Sequence, residues 1–531
     1  MSTLRSIASI ALLLTLAFAA ACSESEEQKA QRAAEMVTTA EKHHDFGEHD
    51  KAIELCTQAL EISASLGSAH SVRSRAYLKK GMLTEAEADI ARWIELDGGA
   101  DALIAMAKFK NMMGDNKAAL ELVKKAREAD PAEPKVMGWD AYFMCLNRQE
   151  KEAFELAKEA VRLDRYNLAG HMALGEYLLR RGELATAASE AAAAKAVDPS
   201  AEEPLILLGR TQLALESFVG AKSELVSATT NNPYSTRAWI ALAVCNARAG
   251  NADDAQAALA KAEGLQAEAF ATQILVAKAE IAFAAGKNDE ALKQVDAAAQ
   301  KGSDDDRIWT ILGTIRLMSK ELAKGITELD AAIKKQSSAE LLTQRGMLRL
   351  LSGNSKGAYD DARAAAKLEP KRAAVKLLQG HAAYSQNKFG EAANAYSYAA
   401  SAAPGSMHAR ACYFLAWNKV KYDDLQEELK EGSRRSTELL DTMDEFELQV
   451  TTSQNPARDH YGLAALYAAA LQIEDMRLEK KPARKPDEEQ RKALEHLKKA
   501  REAGYNNRLW WDFDPCLKEL RGDPALKEIW P

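Results

Sequence analysis

The chain has 531 residues, of which 6% are aromatic and 28% charged, with a formal net charge of -8. The two charge signs are mixed along its length and no block of Lys and Arg forms a nucleic-acid footprint, so DNA or RNA binding is set aside. Alanine recurs throughout, often doubled or tripled, while 13 Pro and 28 Gly leave long helix-favouring stretches uninterrupted. Ala loses no side-chain entropy in a helix and lets neighbouring helices approach closely, so an almost all-α chain with thin, repeated helix contacts is expected.

Met1–Ser6 carries one positive charge, Arg5, and Ile7–Phe18 is an apolar run of 12 residues. A helix spanning a bilayer needs ~20, so the run is too short to cross. A basic start, an apolar run and the small residues Ala19-Ala20-Ala21 fit a secretory signal. Cys22 comes next, followed by polar Ser23-Glu24-Ser25-Glu26-Glu27. This arrangement resembles the bacterial lipoprotein signal, whose cysteine is lipidated after cleavage. The resemblance implies a signal peptide over 1–21, lipidation of Cys22, a short tether over 22–32, and a protein anchored to a membrane and facing the periplasm. Ala19 stands where that signal usually has Leu, and three alanines also suit an ordinary signal peptidase. Ser23 stands where inner-membrane members commonly have Asp, which favours the outer membrane.

From about Ala33 a pattern repeats. A small residue is followed twelve positions later by another, as in Ala40/Ala52, Ala107/Ala119, Gly175/Ala187, Ala243/Ala255, Gly313/Gly325 and Gly380/Ala392. Successive units are 33 to 36 residues apart. A turn, often with Gly, separates the two small residues: Gly47, Gly81, Gly114, Gly182, Gly250, Gly286 and Gly353. Pro131, Pro199, Pro233, Pro370 and Pro404 close units. Each unit reads as two helices around a tight turn. Neither can bury its apolar face alone, so neighbours bury it for each other. The spacing, with Trp239 and Trp309 early in their units and Leu225 or Tyr396 four after the second small residue, resembles the tetratricopeptide repeat over about eleven units, 33–406. The resemblance implies an all-α fold, an α-solenoid of about eleven tetratricopeptide-repeat helix hairpins, with first helices lining a protein-binding groove.

After Pro404 the register is lost, and 407–531 reads as a divergent, repeat-like helical cap. Met407–Tyr422 and Asp424–Thr442 read as helices, and Asp441–Asp459 as a polar stretch containing a loop. YGLAALYAAAL and EQRKALEHLKKAREAGY read as a helix pair around a charged insertion. Ala503-Gly504-Tyr505, Asp514-Pro515, Leu520-Arg521 and Asp523-Pro524 resemble the closing segment of some bacterial tetratricopeptide proteins, which implies a cap for the exposed apolar end and not an activity.

No HExxH, GxSxG, P-loop or GxGxxG occurs. His43, His44, His49, Asp45 and Asp50 read as a solvated turn, and Asp304-Asp305-Asp306 as a helix start. Trp139 and Tyr142 read as core or groove, and Trp510-Trp511 as packed in the cap. None of the six cysteines lies in a CxxC pair and their spacing fits no zinc pattern. They read as small buried residues, with a Cys412–Cys516 bridge left open for an oxidising compartment. No cofactor and no metal is expected. In the groove, position five of each unit is mostly apolar and is flanked by charge. The candidate protein-binding residues are Ile206, Arg210, Arg237, Ile240, Val244, Arg248 and Val276, taking apolar side chains of an extended or helical partner segment with the arginines setting register; the alternative is that they pack between units. The Lys and Asn clamp that some family members use for acidic C-termini is absent. The reading is therefore a non-enzymatic scaffold of the bacterial envelope, recruiting cell-wall, secretion, pilus or polysaccharide-export proteins, its oligomeric state open. The rival is an enzyme with a site in 407–531, where Ser453, Asp459 and His460 are the candidate nucleophile set.

Overall fold

The small-residue pairs become helix-to-helix contacts. The computed structural model describes residues 25–529 apart from 98, 216, 266–267, 304, 306, 336, 403–406, 421–438, 440, 452, 454–455, 473–485, 504 and 506–513. Cys22, Trp510 and Trp511, Asp304 and Asp306, the charged insertion and most of Asp424–Thr442 lie outside them. Among the described residues there is no strand, and no helix is long and apolar enough to cross a membrane.

The chain divides into two units, one running to Ala173 with Asn232–Ser235, the other Leu174–Asn231 and Thr236–Pro531. In the first unit the helices are α1 (Glu26–Asp45), α2 (His49–Ile62), α3 (Gly67–Lys79), α4 (Leu83–Asp97), α5 (Ala100–Met112), α6 (Asn116–Ala129), α7 (Pro134–Leu146) and α8 (Glu150–Leu163). A further helix, α9 (Leu168–Arg180), begins in the first unit and ends in the second. The second unit continues with α10 (Leu184–Val197), α11 (Glu202–Ala214), α12 (Phe218–Asn231), α13 (Thr236–Arg248), α14 (Ala252–Glu263), α15 (Ala271–Ala284) and α16 (Asn288–Gln300). Then come α17 (Arg307–Met318), α18 (Leu322–Lys335), α19 (Ala339–Leu351), α20 (Ser355–Leu368), α21 (Ala373–Ser385), α22 (Phe389–Ala402) and α23 (Met407–Val420). A helical stretch α24 (441–450), α25 (Pro456–Gln472), α26 (Pro486–Glu502), a 3-10 turn over Pro515–Leu520 and α27 (Pro524–Ile529) complete it.

Local chemistry sets the helix ends. Ser25 and Gln28 cap α1 reciprocally, side chain to backbone in both directions. Hairpin turns among the described residues place one residue in the left-handed region, and Gly47, Gly81, Gly114, Gly182, Gly250, Gly286 and Gly353 supply it with φ of 70 to 85°. Arg148, Lys320 and Asn387 hold that conformation at φ of 59 to 66° where the sequence offers no glycine, so the stacking of the hairpin, and not the turn residue alone, imposes it. Ala40 and Ala52, Ala107 and Ala119, Ala141 and Ala153 are fully excluded from solvent in the first unit, as are Ala243 and Ala255, Ala279 and Ala291 in the second.

In the second unit the last hairpin and the cap share one apolar cluster. It takes in Tyr396 of α22, Cys412 and Leu415 of α23, Leu463, Leu466 and Tyr467 of α25, Leu497 of α26, and Leu517 and Leu520 of the closing turn. The polar reading of Asp441–Asp459 is corrected over 441–450. Met443, Phe446 and Val450, spaced three and four apart, are buried against the cluster and make that stretch a helix.

Candidate functional site

First helices of successive hairpins face one another, and in the second unit acidic and basic side chains meet across them. On α9, Glu176 is 2% exposed and accepts from Arg210 of α11 (Nη1 to Oε2, 2.8 Å) and from Arg180 (3.2 Å). On α15, Glu280 accepts from Arg248 of α13 (Nη2 to Oε1, 2.5 Å; Nε to Oε2, 3.0 Å), and Arg307 of α17 lies 3.9 Å away. On α19, Glu340 accepts from Arg372 of α21 (2.5 Å) and from the Thr310 hydroxyl of α17 (2.6 Å). In each case the carboxylate is buried and the bonding cation reaches over it from a neighbouring first helix. Burial alone pushes the Glu176 carboxyl up, but Arg210 and Arg180 outweigh it and hold it at about 2. The side chains of Arg210 and Arg248 stay 40% and 36% exposed. Guanidinium groups have five donors each, so the first-helix face offers N–H groups above a row of neutralised acids.

The four apolar candidates lie elsewhere. Ile206, Ile240, Val244 and Val276 are 7% exposed or less. Ile206 packs with Leu205, Ala228 and Ala238; Ile240 and Val244 belong to the cluster around Leu225 and Leu259; Val276 packs with Ala279 and Val295. These four side chains fill the space between helices, which is the packing alternative of the sequence reading. Arg237 is half-buried on α13. What remains on the surface of the candidate set is the arginines.

The nucleophile arrangement expected for the enzyme reading is not formed. The Ser453 hydroxyl donates to Asp459 (2.6 Å), while His460 Nδ1 faces Nδ1 of His496 (2.9 Å). His496 is lowered to about 4, by burial first and by the neighbouring His460 and Lys499. In the first unit His43 bonds Glu48, and the rings of His44 and His49 stand 5.0 Å apart. Trp139 and Tyr142 of α7 are buried edge to face, 5.8 Å between ring centres.

The structure also assembles a group that no local motif announces. His408 and Cys412, one turn apart on α23, meet Asp514 and Cys516 of the closing turn. The imidazole Nε2 is 2.9 Å from Asp514 Oδ2 and 3.5 Å from Cys412 Sγ, and the two sulfurs are 3.6 Å apart. Asp514 is fully buried, accepts from the Cys516 backbone N–H at 2.9 Å and from the Tyr461 hydroxyl, and lies at about 2 because these donors and His408 outweigh its burial. The ion-pair geometry raises His408, while Cys412 is lowered by its Cys516 and His408 contacts against its burial.

Residues 276–340 match the family model of the tetratricopeptide repeat. That segment thus matches the tetratricopeptide repeat, and helix pairs continue on both sides of it. No curated protein matches the chain. Among solved structures it is similar to yeast Tom70, at 15% identity and a TM-score of 0.40, covering 74% of this chain and 96% of that one. It is also similar to a tetratricopeptide-repeat protein from Parabacteroides merdae (17%, TM-score 0.30, 53% and 97% covered). A thermophilic repeat protein from Thermus thermophilus matches at 23% identity and a TM-score of 0.30, with 34% and 99% covered.

Proposed function

We propose that this protein is a non-enzymatic scaffold of the bacterial cell envelope that binds segments of other proteins along its first helices, held at a membrane by a lipid on Cys22. The observation that carries the binding part is the row of half-exposed arginines above buried carboxylates, Arg210 over Glu176 and Arg248 over Glu280. A neutralised pair costs little to cover, and its remaining N–H groups donate to the carbonyl oxygens of an extended or helical chain end. The supporting chemistry is thus polar donors at a repeat of one helix pair, with the apolar residues beneath them holding the helices in place. The envelope part is supported by the run from Arg5 through Cys22 in the sequence. Partners of cell-wall, secretion, pilus or polysaccharide-export machinery belong to this reading as its candidates.

The test uses the full chain in its own cells with a photo-crosslinking residue at Arg248 or Thr310, both exposed on first helices, and at Glu290, exposed on a second helix. Discrete, reproducible protein adducts from the first two positions and not from Glu290 are expected. No adduct, or the same pattern from all three, overturns the binding reading. Cys22→Ser is expected to release the chain from the membrane fraction; a variant that stays there removes the anchor.

A further inference from the structure

We propose that His408, Cys412, Asp514 and Cys516 form a zinc site that fastens the C-terminal turn to α23. The four donor atoms lie within 4.8 Å of one another. Bonds of about 2.0–2.3 Å from Zn²⁺ to nitrogen, oxygen and sulfur place tetrahedral neighbours roughly 3.3–3.8 Å apart. The sulfurs here are 3.6 Å apart and the Cys412 sulfur is 3.5 Å from His408 Nε2. The 2.9 Å contact between His408 and Asp514 has to open and the widest donor pairs, up to 4.8 Å, have to draw in; the short contact is the one a metal between them would replace.

The donor chemistry agrees with the geometry. Two thiolates, an imidazole and a carboxylate suit a borderline-soft, tetrahedral ion, and the thiolates select against Mg²⁺ and Ca²⁺. On binding, Zn²⁺ displaces both thiol protons and the proton held between His408 and Asp514. The surroundings fix the ligands. Tyr461 and the Cys516 backbone N–H hold the two Asp514 oxygens, the ring of Tyr505 stacks on Tyr461 at 4.3 Å, and Asp514 caps the closing turn. Such outer partners orient metal ligands and keep them from collapsing onto one another. Cys412 and Cys516 are inaccessible, and His408, with its side chain 16% exposed, is the ligand that faces the way in.

The site explains why a turn of only six residues, Pro515–Leu520, packs so deeply. Residues 412 and 516 are 104 positions apart. Joining them through one ion closes a long loop, and that constraint acts mainly on the unfolded chain. The inference does not depend on the binding reading, since it concerns the cap alone.

The experiment takes the untagged full chain, purified without added metal or chelator, and measures zinc by plasma mass spectrometry. About one zinc per chain is expected, with Cys412→Ser and Asp514→Asn each reducing it at least tenfold. Cobalt added to the chain after zinc removal gives a second readout that needs no substitution: the thiolate-to-cobalt charge-transfer band and the visible bands of a tetrahedral ion. Zinc below about a tenth per chain together with no cobalt bands overturns the site. So does mass spectrometry of the unreduced chain in which a Cys412–Cys516 disulfide accounts for both sulfurs.

Discussion

Gly209 gives the sharpest test of how the hairpins pack. It lies in the middle of α11, where a Cβ would come within 2.6 Å of Leu225 Cγ and 2.8 Å of its Cδ2 on α12. Carbon atoms in ordinary contact stand about 3.5–4.0 Å apart, so Leu225 must retreat by roughly 1 Å. It is fully buried and has no open side to move toward. Overpacking of this kind costs about 1–3 kcal/mol, against about 0.8–1.0 kcal/mol regained from replacing Gly by Ala inside a helix. Gly209→Ala is therefore expected to destabilise by about 0–2 kcal/mol, taking both effects together. Leu225→Ala alone should cost about 2–5 kcal/mol for its cavity. In the double variant the new methyl enters space that Leu225 has vacated, so the overpacking disappears and the double should be better than the sum by about 1–3 kcal/mol. Repeat arrays need not unfold in one step. The assay is accordingly local: hydrogen exchange of amides in 202–231, with urea denaturation of the whole chain alongside. A Gly209→Ala chain more protected than the parent refutes the close-approach argument. Two effects that add within about 0.5 kcal/mol refute it as well.

Two further outcomes follow from buried polar groups. Glu176 sits at about 2 in the fold against an ordinary 4.5; its lowered value means the stabilisation is present above the ordinary value and is lost as pH falls from about 4.5 to about 2, about 3 kcal/mol in all. Glu176→Gln should flatten that part of the stability-against-pH curve, and an unchanged slope would count against the pairing with Arg210 and Arg180. His381 is held neutral by burial first and by His408 next, at about 3, and its Nδ1 accepts from the buried Tyr396 hydroxyl at 2.8 Å. Tyr396→Phe should leave that nitrogen without its donor and cost about 1–3 kcal/mol, read by denaturation at neutral pH; a loss under about 0.3 kcal/mol would show that the hydroxyl contributes nothing.

Much of the fold was legible because the contacts that build a hairpin are close in sequence. Ala243 and Ala255 touch across one tight turn, so their spacing by itself announces the pair. The binding residues were less legible for a related reason. A buried Ile240 and an exposed one read the same in sequence, and only the neighbouring hairpin decides which it is. Charge is the better guide: Arg210 and Arg248 stand out in the sequence, but the pairing with Glu176 and Glu280 needs the next first helix in place. The polar look of 441–450 concealed three apolar residues at helical spacing that the cap cluster claims.

What the sequence alone determined is the repeated helix pair, from small residues at fixed spacing and the left-handed turn between them. The tertiary structure alone decided which apolar side chains are interior and which donors meet at the cap. His408 and Cys412 share a helical face by local geometry, yet Asp514 and Cys516 reach them across about a hundred residues. No spacing rule spans that distance, because chain flexibility erases any fixed relation between residues so far apart until a packed core restores it.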